Sequence, residues 1–106
     1  MKKFDSMDEI NSKLPESEFK EYLLLKFSRI IEEYGLSGIS GMFSIILLEK
    51  DVIEYFSNKY LEFCEVMIFD NLKYIHTVWA ASDNYSEDIY IPYSDEAKAA
   101  IEGRCI

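Results

Sequence analysis

Apolar side chains recur at intervals of three and four from Phe19 to Tyr34. Phe19, Tyr22, Leu23, Phe27, Ile30, Ile31 and Tyr34 stand largely opposite Glu18, Glu21, Arg29, Glu32 and Glu33. That spacing predicts an amphipathic helix, opened by Glu16 or Ser17 and closed by Gly35, a residue free to take the left-handed turn after a helix. Before it, Ser6 and Glu9 have the spacing of a capping box. Met7, Ile10 and Leu14 then follow as one face of a short helix that Pro15 ends. Ser37–Gly41 is the loosest stretch, and Met42–Leu48 is almost wholly apolar, so periodicity cannot separate helix from buried strand there.

A second capping box, Asp51 with Glu54, begins a longer rhythm through Ile53, Phe56, Tyr60, Phe63 or Cys64, Met67, Leu72, Ile75 and Trp79. Glu54, Asn58, Glu62, Glu65, Lys73 and Thr77 alternate with it. This favours one or two helices, broken near Asp70-Asn71. The rival is a hairpin in which Glu65–Phe69 and Leu72–Trp79 flank an Asp-Asn turn, since Val, Ile, Tyr, Thr and Trp suit strands. Ser94 or Asp95 caps a last helix through Ile101, closed by Gly103. The expected fold is therefore mainly α, a single domain over 1–106 built as a bundle of four to five helices. The alternative is α+β, with an antiparallel hairpin around 65–79.

Charge narrows the function. Eleven Lys and Arg against twenty Asp and Glu give a net charge of −9, which speaks against direct nucleic-acid binding, because phosphate contacts need a basic footprint. The hydrophobic content of 49% is too high for a disordered acidic tail. The N-terminal residues turn acidic at once, and no apolar run approaches the roughly 20 residues of a membrane span. A cytoplasmic protein is expected. Cys64 and Cys105 lie far apart in sequence and suggest a buried thiol and a frayed one, not a disulfide framework. With His76 as the one histidine, no metal-ligand spacing arises, and neither metal nor cofactor is expected.

Catalytic apparatus is equally sparse. His76 lies among Tyr74, Ile75, Val78 and Trp79, the setting of a packed histidine rather than a general base. No phosphate-binding glycine motif occurs, and the acids select no pair for proton transfer. The distinctive segment is Ser82–Glu96, with five acids, three tyrosines and neither Lys nor Arg. Aromatic anchors in a negative field suit a basic protein partner. Glu87, Asp88, Tyr90 and Tyr93 are the leading candidate contacts, with Asp83, Tyr85, Asp95 and Glu96 as a rim.

Two stretches resemble the colicin-type bacteriocin immunity proteins, which neutralise nuclease toxins. Leu14-Pro15-Glu16-Ser17-Glu18-Phe19 is similar to the start of that family's first helix. Ser86-Glu87-Asp88-Ile89-Tyr90-Ile91-Pro92 is similar to its short toxin-contacting third helix, Ser-Asp-Leu-Ile-Tyr-Tyr-Pro, with Ile91 in place of the second tyrosine. The resemblance implies a small helical bundle in which Glu87 and Tyr90 touch a toxin. The expected function is stoichiometric inhibition of a basic toxin, preferably a nuclease, by a protein that is not an enzyme. The first alternative is a phage- or plasmid-encoded acidic inhibitor or nucleic-acid mimic aimed at a defence nuclease. The second is a small ligand-binding domain or enzyme around His76.

Overall fold

The computed structural model describes residues 1–34, 43–49, 52–82 and 85–105. At its centre lies the apolar run that periodicity left open: Phe43–Leu47 is a strand, β2, buried at every position. Its odd residues Phe43, Ile45 and Leu47 enter one core with Phe4, Ile10, Leu23, Phe27 and Tyr90. Ile46, with Leu48 beyond the strand, enters another core with Phe56, Leu61, Ile75, Ile89 and Ile101. A strand covered on both faces has no reason to alternate apolar with polar, which is why its sequence carries no period of two.

The molecule is α+β, not a helical bundle. A five-stranded mixed sheet has the order β1-β2-β5-β4-β3, where β1 is Lys2–Phe4, β3 Cys64–Phe69, β4 Leu72–Ser82 and β5 Tyr85–Pro92. β2 and β5 run parallel, with Ile46 opposite Ile89, and the other neighbours are antiparallel. Helices α1 (Met7–Lys13) and α2 (Glu18–Tyr34) supply Ile10, Phe19, Leu23 and Phe27 to the first core. The short α3 (Val52–Tyr55) and the segment after it, together with α4 (Asp95–Glu102), close the second core through Phe56, Ala97 and Ile101.

The favoured helices across residues 53–79 give way to one turn of α3 and the β3–β4 hairpin. Asp70 and Asn71 both take positive φ, 53° and 63°, the two left-handed positions of a type I′ turn, whose twist matches that of the strands it joins. The apparent helical rhythm came from apolar residues on both faces of the hairpin. Met67, Phe69 and Tyr74 pack toward α2, while Cys64, Ile75 and Trp79 pack toward α4.

The cap assignments at α1 and α4 agree with the structure. Ser6 Oγ accepts from Glu9 N–H, and Ser94 Oγ accepts from Ala97 N–H. Gly103 occupies the end of α4 in right-handed geometry. The predicted Gly35 stop, the Ser37–Gly41 loop and the Asp51 cap lie outside the described residues. Cys105 is not frayed: it forms a parallel bridge with Leu61. Its thiol neighbours that of Cys64, and burial raises both above the ordinary thiol range.

The start of α2 depends on the hairpin turn. Asp70 Oδ1 and Oδ2 accept from Glu18 N–H and Phe19 N–H at 3.1 and 3.3 Å, while Glu18 Oε2 accepts from Asp70 N–H at 2.9 Å. One carboxylate thus caps a helix 52 residues away in sequence and keeps α2 seated on the hairpin. Asp70→Gly, which keeps the positive φ but removes the cap, should cost about 1–2 kcal/mol in urea unfolding. Asp70→Ala should cost more, because it strains the turn as well. Equal stability of wild type and Asp70→Gly would show that the cap adds nothing.

Candidate functional site

Strand β5 carries the segment that sequence singled out, and it runs through the middle of the sheet. Successive residues of a strand point to opposite faces, so Glu87 and Asp88 part company. Each lies buried, at 7% and 6% exposure, and each draws a cation from elsewhere in the chain.

Asp88 faces α2. Lys26 donates to its Oδ1, and His76 Nε2 approaches the same oxygen at 2.7 Å. His76 Nδ1 lies 2.7 Å from Glu65 Oε1. Carboxylate oxygens accept, so only the doubly protonated ring satisfies both contacts. The contacts run Glu65–His76–Asp88–Lys26 and link β3, β4, β5 and α2. Burial alone would raise the Asp88 carboxyl; the His76 hydrogen bond and the Lys26 charge outweigh it and hold the group below the usual carboxylate range. Tyr90 lies on the same face, fully buried and stacked on the His76 ring at a centroid distance of 4.5 Å. Burial, followed by its contact with Tyr22, pushes its hydroxyl pKa far up.

Glu87 faces α3. Tyr55 and Tyr85 hydroxyls donate to Oε1 and Oε2 at 2.7 and 2.9 Å, and Lys59 Nζ stands 3.5 Å from Oε1. The Lys59 ammonium lies over the Tyr55 ring, 3.4 Å from its centroid, and 4.1 Å from that of Trp79. Burial lowers its pKa, with Glu87 opposing. Tyr85 also reaches Ser44 Oγ, which in turn donates to Asp5.

The predicted contact residues therefore do not form one surface. Glu87, Asp88 and Tyr90, three of the four leading candidates, are interior groups with partners inside the chain rather than exposed side chains. Tyr85 is half-buried in the Glu87 cluster. Tyr93 is half-buried beside the start of α4, where its hydroxyl donates to Asp95 at 3.1 Å, and Asp95 and Glu96 are exposed. Asp83 lies outside the described residues. The segment without Lys or Arg reads as a free negative field in sequence; folding pairs two of its five acids, Asp88 with Lys26 and Glu87 with Lys59. The segment similar to a toxin-contacting helix is a central strand, and the helical bundle implied by the resemblance is not the fold.

His76 is 3% exposed, with carboxylates at both nitrogens and the Tyr90 ring beneath it, an arrangement that holds four elements together and leaves neither nitrogen open to a substrate. Among the described residues, every buried side-chain nitrogen and oxygen has a hydrogen-bond partner. Among the described residues, no group of three His, Cys, Asp or Glu could hold a metal ion and no helix is long and apolar enough to cross a membrane.

The surface feature that sequence reasoning missed is the β3 edge. Of seven exposed large hydrophobics among the described residues, five fall between Tyr60 and Leu72: Tyr60, Phe63, Val66, Ile68 and Leu72. Ile68 is 60% exposed and Tyr60 77%. Among the described residues β3 pairs with β4 alone, and exposed Glu62, Glu65 and Asp70 border its apolar residues. The clue was present in the rival hairpin, which places a strand rich in Val, Met, Ile and Phe outside the central pairings. No protein family, curated protein or solved structure matches the chain.

Proposed function

We propose that the protein is an acidic binding protein that engages a basic protein partner through the open edge of β3. The observation that carries this reading is the exposure of Val66 and Ile68 on β3, a strand paired on one side only among the described residues, with exposed Phe63 just before it and Leu72 just after its turn. Soluble proteins normally shield such an edge with lysines, prolines or a covering element, because it invites pairing with another chain. Here Phe63, Val66 and Ile68 stand open with acids beside them. An added strand would gain main-chain hydrogen bonds from the edge and side-chain contacts from its apolar positions. The net charge of −9 selects a basic partner and speeds its approach. A basic nuclease toxin, bound one to one, is the partner class that this chemistry suits best.

The test is capture with the tagged chain at moderate salt, from cells that express the genomically adjacent proteins, followed by purification of the pair. A basic partner should be recovered in one-to-one ratio, with affinity falling as salt rises. Ile68→Lys, at an exposed site, should leave the urea midpoint unchanged and weaken the complex about tenfold or more, the scale of an interface hot spot. Recovery of no basic partner would overturn the function. Full binding by Ile68→Lys would overturn the site.

A further inference from the structure

We propose that Tyr55, Trp79 and Glu87 form a binding cage for an organic ammonium ion, and that Lys59 occupies it as a tethered stand-in. Two aromatic faces meet the Lys59 ammonium, at 3.4 Å from the Tyr55 centroid and 4.1 Å from that of Trp79. The Glu87 carboxylate supplies the opposing charge at 3.5 Å. Ring faces carry negative quadrupole density, so two of them with a carboxylate behind form a site for a cation stripped of water.

Two of the three cage residues are held by the sheet, and Tyr55 of α3 is tied to them through its bond to Glu87. Glu87 and Trp79 are register partners on β5 and β4. Tyr55 and Tyr85 hydroxyls bond the two Glu87 oxygens, which fixes the carboxylate and takes up part of its accepting capacity. What is left is negative charge and flat apolar surface, with few directed acceptors for N–H groups. That chemistry suits an alkylated ammonium better than a free –NH₃⁺. Lys59, by contrast, lies in the irregular segment between α3 and β3. It already lines a recess of about 530 Å³ together with residues such as Asn58, Tyr60, Arg104 and Cys105, space into which its displaced ammonium could move. Tyr55 and Trp79 are only half-buried, so the cage opens to solvent once the lysine leaves.

A tethered occupant competes at the effective concentration of its tether, in the millimolar range for short flexible links. Removing it should therefore strengthen binding of a free cation. The experiment uses the full chain and tetramethylammonium chloride, with sodium chloride at matched ionic strength as the control. The reporter is the fluorescence of Trp79, the one tryptophan of the chain. Lys59→Ala should show a saturable change absent with sodium chloride, with an apparent Kd at least about tenfold below that of wild type. Adding Glu87→Gln or Tyr55→Ala to Lys59→Ala should abolish it. Lys59→Gln keeps the stem without the charge and serves if Lys59→Ala does not fold. A folded Lys59 variant with no saturable response overturns the cage. Equal affinity in wild type and variant overturns the role of Lys59.

Discussion

Tyr90→Ala should bring the protein close to unfolding, with a loss of about 3–5 kcal/mol in urea denaturation followed by circular dichroism. A domain of this size holds roughly 5–15 kcal/mol in total, so the variant would keep little margin. The ring is wholly buried between α2 and the sheet. It stacks on His76 at 4.5 Å and meets Phe19 and Tyr22 edge-on at 5.6 and 6.2 Å. Its hydroxyl also accepts from Lys26 at 3.2 Å, and Tyr90→Phe, which keeps the ring, isolates that bond at about 1 kcal/mol. A loss below about 1 kcal/mol for Tyr90→Ala would mean that the ring is not part of the core. The consequence for function is direct: a binding defect in Tyr90→Ala would report unfolding, so the contact surface is better tested at exposed Ile68.

Local signals in the sequence were legible where they act locally. Ser6 and Ser94 cap their own helices, and the three-to-four spacing from Phe19 to Phe27 marks the face of α2 that enters the core. The hairpin was legible only as a rival, because the turn residues that decide it, Asp70 and Asn71, are two positions among an apolar rhythm that a helix could also have produced. The sheet itself was not legible. Its central strands β2 and β5 are covered on both faces, which removes the alternation that would reveal them. The same cause hid the nature of Glu87 and Asp88. Acids in a segment without Lys or Arg suggest a solvated face, and nothing nearby in sequence indicates that Lys26, 62 positions away, will meet Asp88. Long-range pairing of charges is a property of topology, and topology was the missing term.

The Asp88 cluster makes that topology measurable through pH. Removing one member of a buried charge network leaves the others uncompensated, so Asp88→Ala should cost about 3–5 kcal/mol at neutral pH. Asp88→Asn should cost less, since a neutral His76 ring can accept from Lys26, 3.3 Å from its Nε2, while still donating to Glu65. The two variants also differ from wild type in how stability responds to acid. Asp88 is held below the ordinary carboxylate range in the folded protein, whereas in the unfolded chain it titrates near about 3.9. A depressed folded value means that the unfolded state binds the proton first. The stabilisation is therefore complete above about pH 5 and is lost as pH falls through the unfolded value toward the folded one. Urea midpoints of wild type and Asp88→Asn, compared from about pH 7 down to about pH 3, should converge on the acid side. A gap that stays constant across that range would mean that Asp88 contributes shape and hydrogen bonding but no charge. Convergence would instead identify the Lys26–Asp88–His76 contacts as the electrostatic tie between α2 and the sheet, and would explain why Asp88 belongs in the interior.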